Sequence, residues 1–127
     1  MLKITVLILS LLGCASTELP KSEDEKQALE SLSWVEHARP EVLARQALQR
    51  QDYRLMSFAM RGLISPGVSP VLEEEYQALC GTKVMPGMGD VIRGQLHRQW
   101  RNKAREIASE YNQVILAACL SKHFPAT

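Results

Sequence analysis

The stretch LHRQWRNKAREIASEYNQVILAA, residues 96–118, is the most regular part of the sequence. With Leu96 set at zero and 100° allowed per residue, eight of its apolar residues fall within a sector about 100° wide, the width of a buried helical stripe. These residues are Leu96, Trp100, Ala104, Ile107, Tyr111, Val114, Ile115 and Ala118. The pattern predicts a long amphipathic helix over about residues 95–121.

Two segments rich in glycine and turn-forming residues, residues 62–70 and 81–90, precede this helix. Between them, Ser69 suits the N-cap and Pro70 the first position of a helix. A glycine that fits the left-handed C-cap position follows Cys80. The sequence therefore predicts a short helix between the two loops.

The middle of the chain carries apolar residues at helical spacing, interrupted by one polar tripeptide. This predicts helices near residues 41–50 and 52–61. Upstream, Ser22–Glu25 has the S-x-x-E form of a capping box, which predicts a helix over residues 23–38. Pro40 then ends that helix and starts the next one.

Strand patterns are nearly absent outside the first residues, so we predict an all-α fold. The expected architecture is a compact bundle of four or five helices with the long C-terminal helix as its spine. The chain has 127 residues, of which 46% are hydrophobic and 23% charged. These values fit a single helical domain, which we place at residues 23–127.

The first residues, MLKITVLILSLLGCAST, combine one lysine with a nine-residue apolar run. At 1.5 Å per residue the run covers about 14 Å, half the hydrocarbon core of a bilayer, and so predicts an export signal. Leu11-Leu12-Gly13-Cys14 resembles the lipobox of bacterial lipoproteins. The resemblance implies a signal peptide at residues 1–13, a lipidated Cys14 and a short tether at residues 14–22. An ordinary secretory signal with an incidental cysteine is the alternative.

The residue after Cys14 is Ala15 and not an aspartate. By the same resemblance, this implies an outer-membrane anchor with the domain facing the periplasm. The eight residues from Ala15 to Ser22 span about 26 Å when fully extended. We therefore expect the domain to lie close to the membrane surface and to meet partners in or at that membrane.

Once Cys14 is lipidated, Cys80 and Cys119 remain as the only pair. An oxidising compartment favours a disulfide between them, and closing a loop of about 40 residues would contribute about 4 kcal/mol. A redox or metal-binding pair is the alternative, although the sequence has no C-x-x-C motif and no histidine at ligand spacing from either cysteine. The predicted bundle thus contains one disulfide.

Several functions are disfavoured by the sequence. A formal net charge of +1 argues against nucleic-acid binding, which needs a strong basic excess. The chain has no H-E-x-x-H, G-x-S-x-G, phosphate-loop or calcium-loop motif, and its three histidines are far apart. We therefore predict a protein that is not an enzyme and that has neither a cofactor nor a metal site.

The loop before the last helix is the most distinctive local feature. The glycines Gly87 and Gly89 can expose backbone amides to an anion, with Arg93, His97 and Arg98 nearby to add charge. Two other interpretations compete. Asp90 as an N-cap would occupy the same amides, and glycines also serve simply to turn the chain.

Three arginines, Arg98, Arg101 and Arg105, lie within about 60° of each other on the last helix, away from most of its apolar stripe. They predict either a surface for lipid phosphates or an acidic partner, or a solvated face. Trp34 and Trp100 lie on helix faces that should be buried, so we interpret them as packing residues.

The size and topology are similar to those of secretion pilotins, assembly accessory subunits, and entry-exclusion or immunity lipoproteins. The sequence therefore leads us to expect a non-catalytic lipoprotein of the outer membrane that binds another envelope protein in an interaction or assembly role. The alternative is a binder of a small anionic or lipid ligand, using the loop glycines and the neighbouring arginines.

Overall fold

The computed structural model describes residues 22–126, so the lipobox, Cys14 and most of the tether lie outside the described residues. Within this range the chain forms four α-helices, one short 3₁₀-helix and three β-strands. In chain order these are α1 (Glu23–Ser31), the 3₁₀-helix (Ser33–Glu36), α2 (Pro40–Gln49), β1 (Leu55–Ala59), β2 (Leu63–Ile64), α3 (Glu73–Cys80), β3 (Thr82–Val84) and α4 (Gln95–His123).

The prediction of an all-α fold is wrong, because the described residues contain a three-stranded mixed sheet with the order β2–β1–β3. β1 pairs in parallel with β3, with Leu55 opposite Thr82, and in antiparallel with β2, with Phe58 opposite Ile64. β1 replaces the helix predicted over residues 52–61. Four consecutive residues of the strand are buried, so it shows no alternation of polar and apolar residues and its sequence suits a buried helix equally well.

α4 is the long C-terminal helix that the sequence predicted, but the mean direction of its buried residues is turned by about 60° from that of the predicted stripe. Val114 is 45% exposed, and Leu96 and Trp100 are half-buried. The buried residues are His97, Arg101, Ala104, Ile107, Ala108, Tyr111, Asn112, Ile115 and Cys119. The rotation has a physical reason, since α4 packs against both α2 and β1 rather than against helices alone.

Asn112 joins α4 to the sheet. Its Oδ1 accepts the N–H of Met56 at 2.7 Å, and its Nδ2 donates to the carbonyls of Met56 and Pro66, each at 2.9 Å. β2 pairs with β1 only as far as Ile64, and Pro66 lacks the N–H that would continue the ladder. The Asn112 amide therefore takes the place of a strand residue, which explains a polar side chain at a fully buried position.

In the N-terminal half, one predicted helix boundary is wrong and two are confirmed. Ser22 caps α1 as predicted, since its Oγ accepts the N–H of Glu25 at 3.1 Å. The helix predicted over residues 23–38 nevertheless ends at Ser31, and the 3₁₀-helix replaces its last part. Pro40 starts α2, which matches the helix predicted near residues 41–50.

α3 begins later than predicted and ends where expected. Its N-cap is Leu72 rather than Ser69, and its C-cap is Gly81, whose φ of +83° lies in the region that favours glycine. The disulfide predicted from the cysteine pattern is present between Cys80 and Cys119, with Cα atoms 5.9 Å apart. It fixes the end of α3 to the last turns of α4.

Candidate functional site

The structure brings together five of the seven residues that the sequence suggested as contacts for a partner or an anion. Gly87, Gly89, Arg93, His97 and Arg101 meet where the loop before α4 passes between α1 and the first turns of α4. The other two, Arg98 and Arg105, lie outside this cluster on the exposed surface.

Gly87 is required by close packing. Its φ is +93°, and a Cβ at this position would lie 2.6 Å from the Leu32 side chain and 2.8 Å from the carbonyl oxygen of Ser31. Such distances leave no room for a side chain. A Cβ at Gly89, by contrast, would meet nothing within 4 Å. Because Gly87 has no side chain, the loop packs directly against the end of α1.

His97 is 2% exposed and holds the loop through its ring. Its Nδ1 accepts the backbone N–H of Arg93 at 2.8 Å. Nε2 is shielded from solvent and makes no hydrogen bond of good geometry to a described residue. Burial is the largest influence on the pKa of the ring and lowers it, whereas the nearby backbone of Gly87 acts in the opposite direction. The nearby Arg101 and Arg93 act in the same direction as burial. The ring is therefore held in its neutral form near pH 7.

Arg101 does not belong to an exposed basic face, which corrects the sequence prediction. Its side chain is 5% exposed, and its Nη1 donates to the carbonyl of Gly89 at 2.6 Å. Burial lowers its pKa from the usual arginine value, and the charge of Arg105 adds to this effect. The guanidinium is used to hold the loop, so only Arg98 and Arg105 of the predicted arginine face remain exposed.

Glu25 completes the cluster, and sequence reasoning missed its role. It is 2% exposed, and its carboxyl group lies so close to Gly94 that a Cβ there would overlap it. Gly94, not Asp90, is the N-cap of α4. The carboxylate of α1 thus lies at the positive end of the α4 dipole. The S-x-x-E pattern identified Glu25 as part of a capping box, which predicts a contact with the first turn of its own helix and not with α4.

We call this arrangement the α1–α4 clamp, which comprises Glu25, Gly87, Gly89, Gly94, His97 and Arg101. A shallow cleft of about 420 Å³ borders it. The polar groups next to the cleft are already bonded within the protein. The Arg93 amide donates to His97, the Gly89 carbonyl accepts from Arg101, and the Glu25 carboxylate lies at the start of α4. This favours the structural interpretation of the glycine loop over the anion site.

A second, apolar groove lies next to the sheet, and no local sequence pattern indicated it. Its volume is about 420 Å³. We call it the Trp34 groove, and its lining residues are Trp34, His37, Ala38, Leu43, Met56, Lys83 and Met85. Residues from the 3₁₀-helix, α2, β1 and β3 form it, so only the folded chain brings them together.

Trp34 is half-buried at this groove rather than a fully buried packing residue. Its ring stacks near Phe58 with centroids 6.5 Å apart, and its Nε1 donates to the carbonyl of Pro86 at 3.1 Å. Both interactions fix the indole in one orientation. A large aromatic ring therefore forms a rigid wall of the groove.

Lys83 is the cation at the groove, and it is held in place by two partners. Its Nζ donates to the Tyr111 hydroxyl at 2.7 Å and to a carboxylate oxygen of Asp52 at 3.3 Å. Hydrogen bonds from Arg54 keep the pKa of Asp52 well below its usual range, and Lys83 lowers it further. Asp52 therefore stays ionised and keeps Lys83 in position.

β3 is an edge strand beside the groove. The carbonyl of Gly81 and the N–H of Met85 form hydrogen bonds with β1. In a parallel ladder, alternate residues of a strand bond to the same neighbour, so the N–H and C=O groups of Thr82 and Val84 point away from β1. The Val84 side chain is 58% exposed. Among residues 22–126, a strand edge without a pairing partner and an apolar groove thus adjoin each other.

Among residues 22–126, no three histidine, cysteine, aspartate or glutamate side chains are grouped closely enough to hold a metal ion. No helix in the same range combines the length and apolar character needed to cross a membrane. Comparison of the chain with protein families, curated proteins and solved structures finds no match.

Proposed function

We propose that this chain is a non-catalytic, lipid-anchored accessory protein of the bacterial outer membrane, which binds an extended segment of another envelope protein in the Trp34 groove. The anchor is Cys14, in the lipobox Leu11-Leu12-Gly13-Cys14. The single observation that carries the binding role is the open apolar groove next to the free edge of β3.

An extended peptide suits this surface for two reasons. Outward backbone groups at Thr82 and Val84 can pair with an added strand, which supplies affinity without regard to sequence. The groove beside them accepts apolar side chains from that strand, which supplies selectivity. Two methionines, Met56 and Met85, line the groove, and their flexible thioethers adapt to different apolar partners.

The alternative function, binding of a small anionic or lipid ligand, receives less support. It would use Gly87, Gly89, Arg93 and the arginines of α4, but Arg101 and the Arg93 amide are bonded within the protein. An acidic side chain, Glu25, already lies at the start of α4. A ligand anion would have to displace these contacts, whereas a peptide in the Trp34 groove displaces none of them.

Site-specific photo-crosslinking in intact cells tests the proposal. A photoreactive residue replaces Val84, on the edge strand beside the groove, in the full-length lipoprotein. A matched one replaces Val71, which is 89% exposed and belongs neither to β3 nor to the groove lining. We expect Val84 to give one discrete adduct with an envelope protein that Val71 does not give. Leu43→Ser, which alters the groove wall, should abolish that adduct without loss of the lipoprotein.

Identical adducts from both positions, or an adduct that survives Leu43→Ser in folded protein, would contradict a partner in the groove. The basic surface of α4 can be tested in the same cells. If Arg98→Glu with Arg105→Glu abolishes the adduct and Leu43→Ser does not, the partner binds the arginines instead of the groove.

A further inference from the structure

We infer that the surface around Val91 and Ile92 lies against the lipid surface in which the chain is anchored. This inference rests on the lipid anchor in the proposed function. Val91 is 56% exposed and Ile92 is 43% exposed, and they are consecutive in the loop between Gly89 and Gly94. Two adjacent exposed aliphatic side chains at a loop tip can enter the boundary between headgroups and acyl chains.

The position of the tether brings this loop to the membrane. Arg93, which follows Ile92, lies with its Nη1 3.8 Å from the Asp24 carboxylate, and Glu25 contacts Gly94. The loop is therefore beside the first turn of α1, where the chain enters from the tether. The anchor at Cys14 is only eight residues before Ser22, which limits the separation to about 26 Å.

The charges around the loop favour an uncharged lipid surface. On the loop and the first turns of α1 and α4, Arg93, Lys26 and Arg98 are exposed together with the acids Glu23, Asp24 and Asp90, so the two signs are nearly balanced. Such a surface has no strong attraction to anionic headgroups. Contact should therefore depend on the two aliphatic side chains and should occur on zwitterionic phospholipid.

This orientation leaves the Trp34 groove accessible. Trp34 follows the C-terminal end of α1, whereas the tether enters at its N-terminal end. The helix has nine residues and is about 13 Å long. With the Val91–Ile92 loop on the lipid, the groove is held away from the surface, where a segment of a partner can reach it.

Fluorescence quenching with the lipidated full chain tests the inference. Single labels are attached at Ile92→Cys and, as a control, at Val71→Cys, in protein reconstituted into zwitterionic phosphatidylcholine vesicles with brominated acyl chains. We expect quenching at Ile92 to be at least about twofold stronger than at Val71. Replacing a third of the lipid with an anionic phospholipid should change this ratio little, because the charges near the loop balance.

A second variant, Val91→Ser with a label at Ile92→Cys, should lose most of the difference while remaining bound to the vesicles. Equal quenching at Ile92 and Val71 in anchored protein would overturn the inference and leave the proposed function standing. If the protein does not associate with the vesicles, it has no lipid anchor, and both the inference and the proposed function are overturned. If the label at Ile92→Cys is shielded from water in native membranes but not in the vesicles, the loop contacts a protein partner, and this outcome also overturns the lipid contact.

Discussion

The α1–α4 clamp and the Trp34 groove use their side chains in opposite ways. The clamp buries charged and polar groups, Glu25, His97 and Arg101, in contacts within the protein. The groove leaves apolar groups of Trp34 and Leu43 partly open to solvent next to an edge strand. Two polar residues that look functional in the sequence, His97 and Arg101, are thus buried in structural contacts, whereas ordinary apolar residues line the groove for which we propose a binding role.

The largest expected effect is the reversal of the buried charge in the clamp. Arg101→Glu would place a carboxylate against the Gly89 carbonyl in a site that is 5% exposed, so we expect a loss of about 3–5 kcal/mol in the free energy of unfolding. Urea denaturation measures it. The matched control is Arg98→Glu, an exposed arginine on the same helix, which should change stability by no more than about 0.5 kcal/mol. Equal losses would mean that Arg101 is not buried.

The two glycines of the loop give a closely matched second comparison. Gly87→Ala would put a Cβ into contact with Leu32 and the Ser31 carbonyl at a positive φ, and should cost about 2–4 kcal/mol. Gly89→Ala meets open space and should be nearly neutral. Thermal melting of both variants checks this. A neutral Gly87→Ala would show that the loop does not press against α1.

The pH dependence of stability should also depend on the clamp. Because burial lowers the pKa of His97 from its ordinary value of 6.5, the unfolded chain takes up the proton first as the pH falls. This contribution to stability is fully present above about pH 6.5 and is lost as the pH falls toward the lower folded pKa. Urea denaturation between pH 7.5 and 5 should show the decline, and His97→Leu should flatten it. An unchanged slope in that variant would assign the decline to other groups.

The smallest effect on stability is expected at β3, the edge strand beside the groove. Val84 is 58% exposed on β3, so Val84→Ser should change the free energy of unfolding by at most about 0.5 kcal/mol. Its effect should fall on binding, measured as co-purification of the partner that crosslinks at this position. If a clamp variant of equal stability lost the partner and Val84→Ser kept it, the assignment of the two regions would be reversed.

Local sequence patterns predicted those elements whose signals are carried by neighbouring residues. Ser22 caps α1, Pro40 starts α2, and α4 runs close to its predicted span. Caps, prolines and a 3.6-residue period act within one or two turns, so they can be recognised without knowledge of the fold. The pairing of Cys80 with Cys119 followed from the small number of cysteines and is present.

Tertiary structure decided the rest, because the relevant partners are far apart in sequence. β1 became a strand since it pairs with β3 and is bound by Asn112, which lies 56 residues away from Met56. Glu25 meets Gly94 across the interface between α1 and α4, and this contact uses the helix terminus that an anion would need. The Trp34 groove needs four separate segments. The sequence alone determined the starts of α1 and α2, the span of α4 and the cysteine pair. Long-range packing decided the strands, the other helix boundaries, which polar groups were buried and which apolar surface remained open.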